Sequence, residues 1–158
     1  MIYFNPTDYG DLDTFKLSWR WTNPKYTVLP EDEYRAIRPL RPHIAEQLYA
    51  RYYVSEATDL WRCLWSRDPM YKTKFFSEVE RIITIDQIKM SEDEYETDIV
   101  IIWDPDVAAV VPWKMIQKYW DDFWYDDDLY VFPTSQRWGV FRYHEDSEPI
   151  LFGKKMSM

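Results

Sequence analysis

This sequence of 158 residues has few of the residue types that most often carry catalysis or bind metals. It contains one cysteine, Cys63, and two histidines, His43 and His144. Ordinary zinc sites need more cysteine and histidine ligands than this, so we expect no zinc centre. No GxGxxG sequence or phosphate-binding loop occurs either, and the sequence therefore predicts no bound metal and no cofactor.

The single cysteine and the amino terminus bear on where the protein works. Cys63 cannot form an internal disulfide, which is typical of a reducing compartment, and we expect it to be a buried, small apolar residue. The amino-terminal "MIYFNPTDYG" has neither the basic region nor the apolar core of a signal peptide. No run of 18 apolar residues occurs, so no membrane span is expected. We therefore expect a cytoplasmic protein that does not bind membranes.

Nucleophile and general-base residues are present but do not stand at the spacing of a known catalytic motif. Ser135 and Cys63 are the candidate nucleophiles, and neither is flanked by a recognisable catalytic sequence. Each histidine stands where a structural role is the usual one, His43 at the start of a helix and His144 at the end of a strand. The sequence therefore predicts a protein that is not an enzyme. An enzyme with an unrecognised carboxylate site stays open as an alternative.

Aromatic residues and acidic residues, in contrast, are abundant. There are nine tryptophans, 13 tyrosines and eight phenylalanines, and the net charge is −9. Residues 91–132 contain twelve of the acids and two of the bases, which leaves 17 bases and 16 acids in the rest of the chain. The charge pattern thus predicts a near-neutral body with one acidic region. Such a field repels nucleic acid phosphates and attracts basic protein surfaces.

The hydrophobic pattern predicts one α+β domain over residues 1–158, with an N-terminal strand, a helical middle and a C-terminal antiparallel sheet crossed by a Trp-rich helix. In "TFKLSWRWT", residues 14–22, apolar and polar residues alternate as in a half-buried strand. "LPEDEYRAIR" begins a helix at Pro30, and a second helix starts at about His43. "DIVIIW" is predicted to be a central strand, and "LYVF", "WGVFRY" and "PILFG" the C-terminal strands.

The segment "PWKMIQKYWDDFW" is predicted to be an amphipathic helix. Its apolar face holds Trp113, Ile116, Trp120 and Trp124, with Phe123 at the margin. Asp121 and Asp122 lie off this face, so the rings can be buried while the carboxylates meet water. "YDDD" follows as an acidic loop.

We interpret the acids of residues 91–128, with aromatic rings at their edge, as a candidate surface for a basic protein partner. Charged groups there would steer association, and exposed rings would anchor the complex. Tyr119 and Tyr130 are further candidate rings. The candidate partner-binding residues are Glu92, Asp93, Glu94, Glu96, Asp121, Asp122, Trp124, Tyr125, Asp126, Asp127 and Asp128. The acids could equally be only a solvated face that keeps the protein soluble.

The succession "IVIIW-DPD-VAAVVPWKMIQKYWDDFWYDDDLYVFPTS", then "WGVFRYHED" and "ILFG", resembles small acidic bacterial proteins of the immunity type, which act in polymorphic and contact-dependent toxin systems. It is equally similar to uncharacterised bacterial domains with the same ending. The resemblance covers about a third of the chain, residues 98–153. It implies a cytoplasmic, non-catalytic inhibitor of one toxin domain, often a basic nuclease.

The sequence therefore predicts a protein-binding module that neutralises a basic toxin domain and does not bind nucleic acid. Its oligomeric state is left open. An alternative is an acidic protein that mimics nucleic acid or modulates phage defence, which would spread its acids along an elongated face. The carboxylate enzyme would instead have a deep pocket with a buried acid, whereas an immunity-type protein would have a compact acidic patch with exposed rings.

Overall fold

The computed structural model describes residues 1–53, 79–82, 98–124, 128–135, 138–142 and 150–153. Its helices are α1 Trp19–Thr22, α2 Glu31–Arg35, α3 Pro42–Leu48, α4 Trp113–Lys118 and α5 Trp120–Phe123. Its strands are β1 Arg38–Pro39, β2 Val79–Ile82, β3 Asp98–Asp104, β4 Val107–Pro112, β5 Leu129–Pro133, β6 Trp138–Arg142 and β7 Ile150–Gly153. A 3₁₀ turn at Pro6–Asp8 and a π-helical turn at Tyr49–Tyr53 complete these elements.

The seven strands of the described residues form one sheet in the order β1-β4-β3-β5-β6-β7-β2, and each neighbouring pair is antiparallel. With helices packed beside this sheet, the predicted α+β class is confirmed. β3 and β4 are joined by the tight turn at Asp104–Asp106, and "VAAVVP" supplies the β-branched residues of β4. The sequence interpretation did not assign β4.

β3 lies between β4 and β5 and is buried on both faces, as the continuous apolar run of "DIVIIW" predicts. Ile99 and Ile101 contact the first core cluster, which also takes in α4, α5 and the segment from Leu12 to Ile37. Val100 and Ile102 contact the second core cluster, which α3 and the residues Ile2, Phe4 and Tyr9 help to cover. The sheet therefore separates two apolar layers.

The predicted strand at residues 14–22 is wrong. This segment forms successive turns and the short helix α1, with backbone bonds from Phe15 N to Leu12 O (3.2 Å), Ser18 N to Phe15 O (3.0 Å) and Trp21 N to Ser18 O (3.1 Å). Bonds between residues three apart bring those residues onto one face. Leu12, Phe15 and Trp21 accordingly pack into the first core cluster.

Helices begin where local chemistry favours them. Pro30 occupies the position before α2, and the first turn of α2 carries three acids, which the positive end of the helix dipole favours. α3 starts at Pro42, one residue before the predicted position. The Trp-rich segment is divided into α4 and α5 at Tyr119, where a single helix was expected from its period. Of the predicted helical middle, residues 54–78 lie outside the described residues.

Candidate functional site

The short helix α5 separates rings from carboxylates in the way its sequence predicts. Trp120 and Phe123 are buried in the first core cluster, whereas Asp121 is exposed and Asp122 is half-buried. Trp113 and Ile116 on α4 are buried as well, so the predicted apolar face is confirmed. The two carboxylates of α5 therefore stand on the outer side of a helix that the core holds in place.

Three further acids lie at one end of the sheet, which we call the acidic end: Asp104, Asp106 and Asp128. Ile102 of β3 pairs with Tyr130 of β5, and extending this register by two residues places Asp104 opposite Asp128. The half-buried Tyr49 lies near both. The pKa of its hydroxyl is raised, first by burial and then by the negative charges of Asp104 and Asp128. Like charges on neighbouring strands repel each other, so this end favours a cationic neighbour.

The acidic segment of the sequence is nevertheless not one surface. Asp98 begins β3 and Asp104 ends it, so a seven-residue strand separates them by roughly 20 Å. The Asp98 carboxylate accepts a hydrogen bond from Arg38 Nη2 at 2.5 Å, which offsets its charge. The prediction of a single acidic region is therefore wrong for Asp98. The candidates Glu92, Asp93, Glu94 and Glu96 lie outside the described residues.

Basic side chains offset part of the charge at the acidic end and also lie beside α5. Lys16 forms an ion pair with Asp106, and the hydrogen bond to that carboxylate raises the pKa of the Lys16 ammonium. Arg20 Nη2 lies 3.4 Å from the backbone oxygen of Asp121 and so reaches the start of α5. Asp121 therefore has an exposed carboxylate and, beside its backbone oxygen, the guanidinium of Arg20. None of the Asp or Glu residues in 1–51, 98–124 and 128–135 is buried.

Two of the four rings proposed as exposed anchors are buried. Trp124 is 7% exposed and its ring lies 3.9 Å from that of Trp120, and Tyr130 is fully buried. The prediction that these two rings lie at an exposed edge is therefore wrong. Tyr119 is half-buried, and its hydroxyl donates to Glu33. Tyr125, Asp126 and Asp127 lie outside the described residues.

Two exposed or half-exposed rings that the sequence interpretation did not select lie beside α5 instead. Tyr26 is 41% exposed, and its ring meets that of Trp19 edge-to-face at 5.1 Å. The guanidinium of Arg20 lies 4.8 Å from the centre of the Tyr26 ring, and the same side chain reaches Asp121. Neither ring belongs to a core cluster. The strand interpretation had assigned Trp19 to a buried face; the turn at Asn23-Pro24 was the signal for an exposed loop.

The first core cluster contains tryptophans of two kinds. The indole N–H of Trp103 donates to the backbone oxygen of Phe123 at 2.9 Å. The indole N–H groups of Trp21, Trp120 and Trp124 are also buried but have no hydrogen-bond partner. A buried donor without an acceptor is costly, because it has lost water and gained nothing. Two such donors lie at α5: the indole N–H of Trp120 within the helix and that of Trp124 directly after it.

Comparison with family models, with characterised proteins and with solved structures finds no match to this chain. In the described part of the chain, no three His, Cys, Asp or Glu side chains are grouped so that they could hold a metal ion. No helix among the described residues is long and apolar enough to cross a membrane.

Proposed function

We propose that this protein is a non-catalytic, cytoplasmic protein-binding module of the immunity type, which inhibits a basic toxin domain. The surface we assign to binding comprises the carboxylates of α5, the acidic end of the sheet, the exposed ring of Tyr26 and the half-buried ring of Trp19. Of the residues selected from the sequence, this surface retains Asp121, Asp122 and Asp128. It replaces Trp124 by Trp19 and Tyr26 as the anchoring rings.

The observation that carries this proposal is the contact between the exposed ring and α5. Arg20 lies over the Tyr26 ring and also reaches the backbone of Asp121, so exposed aromatic area and exposed negative charge are adjacent. Tryptophan, tyrosine and arginine are the residues that most often dominate binding energy at protein interfaces. Neighbouring carboxylates would raise the association rate with a basic partner.

The loop that presents Tyr26 is held in one conformation before binding. Tyr26 N donates to Asn23 O at 2.9 Å, Lys25 N donates to the Asn23 side chain at 3.0 Å, and Leu29 N donates to Trp21 O at 3.0 Å. A loop that is already ordered loses less conformational entropy when it binds. This supports a binding role for the ring rather than a purely solvated loop.

The proposal is tested by capturing the partner and then measuring its association kinetics. The native host's lysate is passed over the immobilised full chain at low and moderate salt, and the bound protein is identified. The Asp121→Asn/Asp122→Asn variant is then compared with Asp8→Asn/Glu46→Gln. The control also removes one exposed and one half-buried carboxylate, but on the N-terminal segment and α3, away from α5.

If the proposal is correct, the captured protein is basic and binds the α5 variant several-fold more slowly, with little change in dissociation. The control variant should associate like the parent. Equal slowing by both variants would mean that only net charge matters. Capture of a nucleic-acid-binding protein that is displaced by DNA would instead favour the mimic.

A further inference from the structure

The joint between α4 and α5 has a conformation that the local sequence does not explain. Apolar residues continue at helical spacing through the whole segment, yet Tyr119 leaves the helical region with φ −117° and ψ 40°. No proline or glycine stands at the joint, so the usual local causes of a break are missing. Tyr119 N still donates to Met115 O at 2.9 Å. The departure from helical geometry is thus confined to one residue.

A carboxylate from another helix contacts this joint and the residue before it. Oε1 of Glu33, on α2, accepts from Nζ of Lys118 at 2.6 Å. Its other oxygen accepts from the hydroxyl of Tyr119. The Lys118 ammonium also lies 4.7 Å from the centre of the Tyr119 ring. One acid therefore contacts the last residue of α4 and the joint residue at once.

The electrostatics agree with this geometry. The hydrogen bonds from Lys118 and then Tyr119 lower the pKa of the Glu33 carboxyl, so it is charged at neutral pH. The hydrogen bond to Glu33 in turn raises the pKa of Lys118. Hydrogen bonds to a charged acceptor are stronger than those between neutral groups.

Beyond the joint, α5 carries the carboxylates of the proposed binding surface on one side and Trp120 on the other. Trp120 stacks on Trp124, and neither indole N–H has a partner. Helices of six and four residues are too short to be stable by themselves. The direction of α5 must therefore be set by tertiary contacts.

We infer that Glu33 is a positioning residue, which holds the break at Tyr119 and thereby directs Asp121 and Asp122 of α5. The inference rests on the proposed function for the role of those carboxylates. The conformation of the joint can be measured without any partner. A failure of the inference about Glu33 is therefore distinguishable from a failure of the proposed function. If the break at Tyr119 were lost, α5 would continue along the axis of α4, and Asp121 and Asp122 would shift relative to the rest of the proposed surface.

The test compares Glu33→Ala with Glu31→Ala, which makes the same change on the same helix but removes the pair with Arg35. Tyr119→Phe removes only the hydroxyl, and Lys118→Arg retains the ion pair. The readouts are the backbone carbon chemical shifts of residues 118–120 and the circular dichroism of the stacked Trp120–Trp124 pair, whose coupled transitions give a band of each sign.

Glu33→Ala and Tyr119→Phe should move the backbone carbon chemical shifts of residue 119 toward helical values. Both changes should also weaken the two circular dichroism bands of the Trp120–Trp124 pair. Glu31→Ala and Lys118→Arg should match the parent. If Glu33→Ala fails to fold, Tyr119→Phe decides the outcome. Parent-like shifts and bands in the folded variants would overturn the inference.

Discussion

Replacing Trp120 by phenylalanine should cost the protein less stability than the same change at Trp103. Both side chains are buried in the first core cluster, with exposures of 2% and 5%, so both changes remove a similar part of an indole ring. They differ in the fate of the N–H group. That of Trp103 donates to Phe123 O at 2.9 Å, whereas that of Trp120 has no partner.

The expected difference follows from the cost of an unpaired buried group. Trp103→Phe loses a hydrogen bond and leaves the Phe123 carbonyl without that donor, which costs about 1–3 kcal/mol beyond the packing loss. Trp120→Phe removes a donor that already lacks an acceptor, so no such cost is added. The free energy of unfolding of Trp103→Phe should therefore be lower than that of Trp120→Phe by about 1–3 kcal/mol.

The measurement is denaturant unfolding of the parent and both variants. The midpoints can be compared directly if the slope of free energy against denaturant is the same for all three proteins. In thermal unfolding, the difference should appear as roughly 2–4 °C for each kcal/mol in a chain of this size. If Trp120→Phe is as destabilising as Trp103→Phe, or more so, the Trp120 N–H has a partner in solution and our view of α5 is wrong.

Three further predictions concern other contacts. Trp124→Ala should cost about 3–5 kcal/mol of unfolding free energy, because the ring is buried; parent-like melting would place the ring at the surface. Lys16→Met should change stability little, because the Lys16 side chain in its pair with Asp106 is largely exposed; a clear loss in denaturant unfolding would contradict this. The stabilisation from the lowered pKa of Glu33 is fully present above the ordinary pKa of 4.5 and is lost as pH falls through the folded-state value, so Glu33→Ala should approach the parent in stability in acid. A stability gap independent of pH would count against the Glu33 contacts.

The centre of the sheet could be predicted from the sequence because β3 and β5 are buried on both faces. "DIVIIW" and "LYVF" are continuous apolar runs of strand length, and they form β3 and β5. The strand prediction for residues 14–22 failed because aromatic and aliphatic residues are frequent there. Their spacing fits both the two-residue period of a strand and a three-residue period of turns. Phe15, Leu17, Trp19 and Trp21 alternate, but Leu12, Phe15 and Trp21 also fall three or six residues apart. The structure follows the second period.

The candidate surface was harder to predict than the fold, because sequence proximity does not give the side on which a residue lies. Trp124 follows the acids of α5 but completes the apolar face of the same segment, so it is buried. Asp98 belongs to the same acidic segment as Asp104, yet the length of β3 separates them. Trp19 and Tyr26 lie about 100 residues from Asp121, and the contact through Arg20 brings them together.

The most direct test of the proposed function is the association rate of the captured basic partner with the parent and with a variant in which Asp121, Asp122, Asp126, Asp127 and Asp128 are changed to asparagine. Asparagine keeps the shape of aspartate and removes its charge. The variant should associate about 10-fold more slowly at low salt, with a smaller change in dissociation. The parent's rate should fall as salt shortens the Debye length to about 8 Å, and that of the variant should barely change. Equal association rates at both salt concentrations would mean that the aspartates only solvate the surface, which would contradict the proposed function.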